Sequence, residues 1–345
     1  MKKMKTILKA TVIVLLAIAI NPVANAQGCM EPSSDGGVTV AGYIQPQFEF
    51  KQTDDAWNNS FTFNRARIGF LGNVPYDFSY YFMAELSKFK PDGSFMLDAF
   101  ITYSRFEWAK VSFGQFKVPF SLEQNTPCQS LHTVYRSKVV EELAGPQRDL
   151  GVMLFGGDNS TMVKYSLALV NDYKRNSMDE NAAKSIKGRL VINPTDFLSF
   201  GGNFGYGKTG VAKDNVKTRL GGELELRLNN FLLQGEYIWG KDTGDYTTGG
   251  GCDGTPLEFH EGPVTRGGFF VTAAYMTRWS LQPVIKIETF DGNMDIADDT
   301  QMASTIGMNY FFNDWTRLQA NYIYKAEGNN EVPNDAVVVQ LQIIF

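Results

Sequence analysis

The sequence is poor in cysteine, in histidine and in long apolar runs. It has three cysteines and two histidines in 345 residues. Three cysteines are too few for a disulfide framework, and the histidines, at positions 132 and 260, do not have the spacing of metal ligands. Beyond residue 26 no segment approaches 18 consecutive apolar residues, which excludes a transmembrane helix there. We therefore expect no metal site, no cofactor and no helical membrane span.

An excess of basic residues is also missing. The chain has 32 lysines and arginines against 37 aspartates and glutamates, a net charge of −5. Four of the lysines lie among the first nine residues, before an apolar stretch over 10–20 and a small-x-small site at Ala24-Asn-Ala26. This pattern predicts a secretory signal peptide over residues 1–26 and a mature domain over 27–345. Without those four lysines the mature chain is more acidic still, so no nucleic-acid-binding surface is indicated.

The cysteines leave two questions open. Cys29 could be the lipidated N-terminus of a lipoprotein, although Ala26-Gln-Gly-Cys29 lacks the leucine usual three residues before such a cysteine. Cys128 and Cys252 could form a disulfide between two loops in an oxidising compartment, or both could remain thiols.

A segment of about ten residues with alternating apolar and polar side chains recurs along the mature chain. In segment 216–228, for example, four leucines share one face, while Glu223, Glu225 and Arg227 share the other. Such repetition predicts an all-β fold, a transmembrane antiparallel β-barrel of the bacterial outer membrane. We predict sixteen strands, over 38–50, 60–71, 77–87, 93–105, 107–117, 148–156, 161–171, 184–193, 197–207, 216–228, 231–240, 264–277, 280–290, 300–311, 315–325 and 336–345.

The connections between these strands alternate in length. Tight turns such as Asn73-Val-Pro-Tyr76 and Asn229-Asn230 follow every second strand. Longer links lie between them, at 51–59, 88–92, 118–147, 172–183, 208–215, 241–263, 291–299 and 326–335. Short turns on one rim and long loops on the other are typical of an outer-membrane barrel, with the short turns in the periplasm. The acidic link at 291–299 is a candidate for binding divalent ions together with lipopolysaccharide.

The last predicted strand has an apolar face up to Phe345, the final residue. Leu341, Ile343 and Phe345 share this face, and Gln340 and Gln342 share the opposite one. We expect this strand to close the barrel against the first strand, with its apolar face in lipid.

If the apolar faces meet lipid, the opposite faces line a lumen that contains charges of both signs. Glu85, Glu223, Glu225, Glu236 and Glu288 lie on these faces together with basic residues. Two interpretations stay open: transverse ion pairs in a hydrated pore, or a track for anions. The basic residues on the strands are Arg65, Arg67, Lys187, Arg189, Arg219, Arg227, Lys286 and Arg317.

The link at 118–147 is the longest and contains many apolar residues besides Arg136 and Lys138. Left in water, those apolar side chains would be costly. We therefore expect the link to fold into the barrel and form a constriction; the alternative is an external cap packed on link 241–263.

Two motifs resemble those of a known family. Gly114-Gln-Phe-Lys-Val-Pro-Phe-Ser-Leu-Glu123, followed by Arg148-Asp-Leu-Gly151, resembles the phosphate-selective porin O and P family, and Asn64-Arg-Ala-Arg-Ile-Gly-Phe70 is similar to its early basic strand. The resemblance implies a sixteen-stranded trimeric porin whose third loop constricts the lumen and whose arginines and lysines guide anions. It also implies that Arg65, Arg67, Lys117 and Arg148 contact the anion. The acidic balance of this chain departs from the family's pattern and predicts weaker selectivity for phosphate.

The sequence therefore predicts a porin that passes small hydrophilic solutes, biased to anions such as phosphate. The expected partners are these anions, lipopolysaccharide and outer-membrane lipid, and two further copies of the chain in a homotrimer. The alternatives are a plugged barrel with an adhesion or scaffold role and, third, an outer-membrane enzyme. Residues 202–209 match the phosphate-loop pattern, but they lie in an alternating segment without a following helical stripe, so nucleotide binding is not indicated.

Overall fold

The chain forms a closed antiparallel β-barrel of sixteen strands. A computed structural model of the protein describes residues 37–53, 56–87, 95–172, 175–178, 182–208, 215–248, 258–297, 300–327 and 333–345. The predicted signal peptide, Cys29 and Cys252 lie outside these residues.

The predicted strands are confirmed in number and nearly in extent. The barrel strands are β1 Thr39–Thr53, β2 Ala56–Val74, β3 Phe78–Glu85, β4 Met96–Phe106, β5 Ala109–Lys117, β6 Arg148–Gly156, β7 Val163–Val170, β8 Ser185–Thr195, β9 Leu198–Lys208, β10 Val216–Leu228, β11 Phe231–Asp242, β14 Val264–Tyr275, β15 Leu281–Asp291, β16 Thr300–Phe311, β17 Thr316–Glu327 and β18 Ala336–Ile344. Two further strands, β12 Tyr246–Thr248 and β13 Glu258–His260, form a separate two-stranded sheet between β11 and β14. The phosphate-loop pattern lies largely in β9, as extended chain.

The barrel closes where the sequence predicts, between β18 and β1. Their register places Tyr43 opposite Ile344 and Gln47 opposite Gln340. The backbones of Gly42 and Phe345 exchange two hydrogen bonds, at 2.8 and 2.9 Å. The ladder therefore continues to the last residue and leaves no unpaired edge at this seam.

Each strand has one exposed apolar face and one buried, mostly polar face. On β10 and β15, for example, Leu220, Leu224, Ile285 and Ile287 are 44–52% exposed. Successive side chains of a strand point to opposite sides of the sheet. The period-two pattern of the sequence therefore becomes two surfaces of one wall.

The connections separate by rim as predicted, with one exception. All short turns lie at the rim where β1 begins and β18 ends. The link predicted over 51–59 is wrong, because β1 and β2 pair as far as Thr53 and Ala56. Phe50 and Trp57 stack across this extension with ring centroids 4.6 Å apart, and such aromatic pairs stabilise a hairpin even where the flanking residues are polar.

The helices of the described residues all belong to the link between β5 and β6, hereafter loop 118–147. They are two short α-helices, Leu122–Asn125 and Lys138–Leu143, and a 3₁₀ turn, Cys128–Ser130. Of the helices described, none has the length and apolar character needed to cross a membrane.

Candidate functional site

Loop 118–147 is attached to the wall at its start by Glu236 of β11. The Glu236 carboxylate accepts hydrogen bonds from the Ser121 hydroxyl at 2.7 Å and from the Leu122 backbone N–H at 3.1 Å. The first N–H groups of a helix have no acceptor inside it. Ser121 caps the helix Leu122–Asn125 by accepting from the Gln124 N–H at 3.2 Å, and Glu236 completes that cap from the wall.

The rest of the loop is held by strands farther round the barrel. The Val134 N–H donates to Asn321 of β17 at 2.8 Å, and the Lys138 N–H donates to Glu288 of β15 at 3.0 Å. These bonds hold the loop against the buried faces of the strands. An apolar cluster joins the second helix to β11, β14 and β15 and consists of Phe120, Val139, Val140, Leu143, Ala144, Ile238, Phe270 and Phe290.

Most of the predicted basic residues are paired with a carboxylate. Charge-assisted pairs of this kind are strong hydrogen bonds, but they cancel most of the net charge that each cation presents to a solute. The pairs, with their N–O distances, are Arg67–Glu85 at 2.7 Å, Lys138–Glu142 at 2.8 Å, Arg148–Asp98 at 2.9 Å, Lys187–Asp172 at 2.7 Å, Arg189–Glu223 at 2.5 Å, Arg219–Asp242 at 2.9 Å, Arg227–Glu225 at 2.7 Å and Lys286–Glu288 at 3.0 Å.

The pairs on β8–β15 form a continuous arrangement, here called the paired arc. It consists of Lys187, Arg189, Arg219, Glu223, Asp242, Arg266, Lys286 and Glu288. Asp242 is its centre, because its carboxylate receives both Arg219 at 2.9 Å and Arg266 at 2.8 Å. Lys187 also donates to the Gly145 carbonyl at 3.1 Å, which ties the end of loop 118–147 to this arc.

Arg65 and Arg317 have a different environment, on the four strands around the seam. Arg65 donates to the Gln45 side-chain oxygen at 2.9 Å, Gln45 donates to that of Gln342 at 2.7 Å, and Arg317 donates to the same Gln342 oxygen at 3.1 Å. We call these four residues the glutamine arc. Within the described part of the chain, neither arginine forms a salt bridge, and the Nε of each is buried without a hydrogen-bond partner. A glutamine can accept from a guanidinium without cancelling its charge.

A β-bulge places an extra polar side chain beside this arc. The register of β1 and β2 shifts between Gln45 and Pro46, so that Asn64 has no partner across the ladder. Asn64 and Arg65 are consecutive in sequence, yet both are buried. A bulge turns neighbouring side chains to one side of a strand, and Asn64 uses this to donate to Gln340 at 2.7 Å.

Arg136 is directed at the loop's own backbone. Its guanidinium donates to the carbonyls of Glu123 at 3.1 Å and Thr126 at 2.9 Å, and it is 4% exposed. It therefore holds the two halves of loop 118–147 together. Cys128 lies beside it, and the Cys128 sulfur accepts from Arg67 at 3.2 Å.

Lys117 and Arg148 stand at opposite ends of loop 118–147 and come together because β5 and β6 are paired. They are direct partners in the register of these strands. Both line a cavity between the loop and the wall, and so does Arg67. Lys117 donates to the Thr126 carbonyl at 3.2 Å, and it forms no salt bridge within the residues that the structure describes.

Burial shifts the pKa of groups in the loops. It lowers the pKa of the His132 imidazole, although the contact with Gln282 at 3.3 Å acts the other way. It raises the pKa of the Tyr135 hydroxyl. Burial alone would also raise the pKa of Asp172, but Lys187 and Lys217 hold it below its usual value. At neutral pH His132 and Tyr135 are therefore uncharged, and Asp172 is ionised.

The sequence missed Arg266 and the role of the glutamines. Arg266 follows Val264 and Thr265 at the start of β14, where alternation is hard to read, and only its contact with Asp242 shows its place. Gln340 and Gln342 were visible as the polar face of the last strand. That they contact Asn64 and Arg317 depends on register between strands far apart in sequence.

Comparisons with known proteins agree with this architecture. A model of the family described as phosphate-selective porin O and P matches residues 38–210, half of the chain. The anion-selective porin from Comamonas acidovorans is 14% identical with a TM-score of 0.67, and the alignment covers 90% of this chain and all of that one. OmpF of Salmonella typhi, in a complex with daunomycin, is 13% identical with a TM-score of 0.67, covering 90% and 98%.

OmpT of Vibrio cholerae, in its trimer form, is 13% identical with a TM-score of 0.62, covering 89% of this chain and 99% of its own. At such identities these likenesses show the fold alone. No curated protein matches the sequence.

Proposed function

Because the chain belongs to the phosphate-selective porin O and P family, we propose that it passes small hydrophilic anions by passive diffusion. The family makes it a channel of the bacterial outer membrane and not an enzyme. The preference for anions, and for phosphate among them, is the part that we propose.

The proposed path runs along the buried faces of the strands. An outer-membrane barrel turns its apolar band to lipid, so the exposed leucines and isoleucines of β10 and β15 would face the acyl chains. The opposite faces would line the lumen. Loop 118–147, attached to them through Glu236, Glu288 and Asn321, would then lie inside and narrow the pore.

The observation that carries the anion preference is the glutamine arc. Arg65 and Arg317 present two positive charges without a carboxylate partner among the described residues, and glutamines satisfy part of their hydrogen bonding. A solute anion can take the place that a carboxylate fills elsewhere, and it can supply the acceptor that the buried Nε of each arginine lacks. Lys117 adds a third uncompensated charge on the same side of the barrel.

The remaining predicted basic residues would set a transverse field. Arg67, Lys138, Arg148, Lys187, Arg189, Arg219, Arg227 and Lys286 are each close to a carboxylate, so their contribution to selectivity is smaller. Arg136 would act by shaping the constriction, because its donors are used on backbone carbonyls.

The reversal potential of single channels in a potassium chloride gradient tests this proposal. We expect the sign of an anion-preferring pore, and a double variant R65Q/R317Q should lose most of that preference. The matched control is R105Q, because Arg105 is 61% exposed at the short-turn rim and pairs with Asp77. A cation-preferring reversal potential of the unchanged protein, or an unchanged potential in R65Q/R317Q, would contradict the proposal.

Phosphate is tested separately from anion preference. If phosphate binds at the glutamine arc, adding it should reduce the chloride current of the unchanged protein more than it does in R65Q/R317Q. An equal effect on both would reject a phosphate site there and would leave the anion preference standing.

A second candidate function is a plugged barrel that conducts no ions. It is favoured by the burial of the wall at the seam, where Gln45, Gln319, Gln340 and Gln342 are at most 2% exposed. Absence of any conductance in a purified, folded sample would select this alternative.

We also propose that the porin assembles as a homotrimer and contacts lipopolysaccharide in the outer leaflet. The likeness to the trimer form of OmpT supports the first part. Light scattering of the detergent-solubilised protein should give three chains per particle, and a monomeric mass would reject the trimer.

A further inference from the structure

A cavity of about 420 Å³ lies between loop 118–147 and the buried face of the strands β1–β6. Pro119 and Cys128 contribute to it from the loop, and Met153 and Phe155 contribute from β6. Phe155 is one residue from the end of its strand, so the cavity reaches toward the short-turn rim. A volume of this size is typical of sites for small organic molecules.

One wall of the cavity is aromatic and thioether-rich, although it belongs to the face that is polar elsewhere in the barrel. Phe100, Phe116, Met153 and Phe155 line it. The rings of Phe100 and Phe116 meet edge to face with centroids 6.4 Å apart. The lumen of an outer-membrane pore is normally polar. An apolar patch that faces water is stabilised when a ligand covers it.

The opposite side of the cavity carries one positive charge in excess. Arg67 and Arg148 line it, but Glu85 and Asp98 balance them at 2.7 and 2.9 Å. Lys117 has only the Thr126 carbonyl as a hydrogen-bond partner, and it forms no salt bridge among the described residues. An ammonium group has three N–H donors, so two remain for a ligand.

We propose that this cavity binds amphipathic organic anions that have one carboxylate and one aryl or alkyl part. The carboxylate lies on Lys117, and the apolar part covers Phe116 and Phe155. The inference rests on the proposed function, because the ligand enters by the anion-preferring path, and it adds a substrate class to the inorganic anions. Phosphate gains only the contact with Lys117, whereas an aryl carboxylate gains both.

Current block by 4-phenylbutyrate tests the proposal, with acetate as the comparison at equal concentration. Single channels of the full-length folded protein in potassium chloride should show discrete interruptions with 4-phenylbutyrate and none with acetate. Equal effects of the two anions would overturn the proposal, since the aromatic wall would then contribute nothing.

Two substitutions locate the block. F155A should shorten the mean dwell time roughly tenfold, the size expected when a buried apolar contact is lost. The matched control is F113A, which truncates a side chain that is 68% exposed on the other face of β5. K117Q should also shorten the dwell time, and K117R should restore it. Dwell times that are unchanged in both F155A and K117Q would overturn the assignment to this cavity.

Failure of this inference can be told apart from failure of the proposed function. The reversal potential of the same channels reports anion preference independently of block. An anion-preferring pore without block by 4-phenylbutyrate rejects the cavity alone, whereas a cation-preferring pore rejects the function on which the inference rests.

Discussion

The glutamine arc and the paired arc solve the same problem, a buried arginine on the barrel wall, in opposite ways. On β8–β15 the arginines meet carboxylates, as Arg219 and Arg266 do at Asp242. Around the seam Arg65 and Arg317 meet glutamines. Burying a charge is costly unless it is paired, so the unpaired arginines indicate a place where charge serves a solute. The comparison teaches that the position of carboxylates, more than that of arginines, decides where an anion would bind.

The largest expected effect comes from converting one arc into the other. Gln342→Glu places a carboxylate 3.1 Å from Arg317, at an oxygen that also receives Gln45. One charge at such a distance is worth about 1 kcal/mol in water-like surroundings, which corresponds to a roughly fivefold fall in the anion-to-cation permeability ratio. Reversal potentials measure it. Gln342→Met is the neutral control and should keep the ratio; if it falls as far as Q342E, lost hydrogen bonds and not charge are responsible.

The reverse change in the paired arc should give a smaller effect of opposite sign. Glu223→Gln removes the carboxylate that Arg189 contacts at 2.5 Å and leaves that arginine uncompensated. We expect the anion preference to rise, by less than Q342E lowers it, because Arg189 is more exposed and better screened than Arg317. The double variant R189Q/E223Q removes the pair and should return to the original value. A rise that persists in the double variant would break the comparison.

Releasing loop 118–147 should change conductance without changing selectivity. Glu236→Ala removes the acceptor of Ser121 and Leu122 and leaves these groups unsatisfied, at about 1–3 kcal/mol each. Channels should become noisier and more conductive, while both arcs, and so the reversal potential, stay as they are. Glu261→Ala, at an exposed position in the link between β11 and β14, is the control for loss of a carboxylate.

The smallest effect is expected from acidification. The pKa of His132 is lowered by burial in the folded state, so the unfolded state binds the proton more readily. The stability that the neutral imidazole provides is full above the unfolded value of about 6.5 and is lost as the pH falls below it. The thermal unfolding temperature of the detergent-solubilised barrel should therefore fall less between pH 7 and pH 5 in H132Q than in the unchanged protein. Equal slopes would clear His132 of this role.

Much of the barrel could be predicted from the sequence because its signals are local. The leucines of β10 and the turn Asn229-Asn230 fix a strand, a face and a reversal within fifteen residues. The missed hairpin of β1 and β2 has the same cause, since Lys51, Asn58 and Asn59 are polar enough to be taken for a loop. Pairing with a neighbouring strand, which local polarity does not report, extends both strands.

The candidate site could be predicted only in part. Alternation placed Arg65, Arg67, Lys187 and Arg219 on the buried faces, and the structure buries all four. Their partners were out of reach, because Asn64 turns inward through a bulge and Arg266 joins the site through a carboxylate of another strand.

The sequence by itself determined the sixteen strands, their two faces, the closure at Phe345 and the basic residues of the wall, because a period of two is written into neighbouring residues. Only the tertiary structure decided which of those charges are cancelled. Arg148 meets Asp98 across fifty positions, and Ser121 meets Glu236 across more than a hundred. Strand register, a bulge and the path of loop 118–147 set those distances, and no local pattern encodes them.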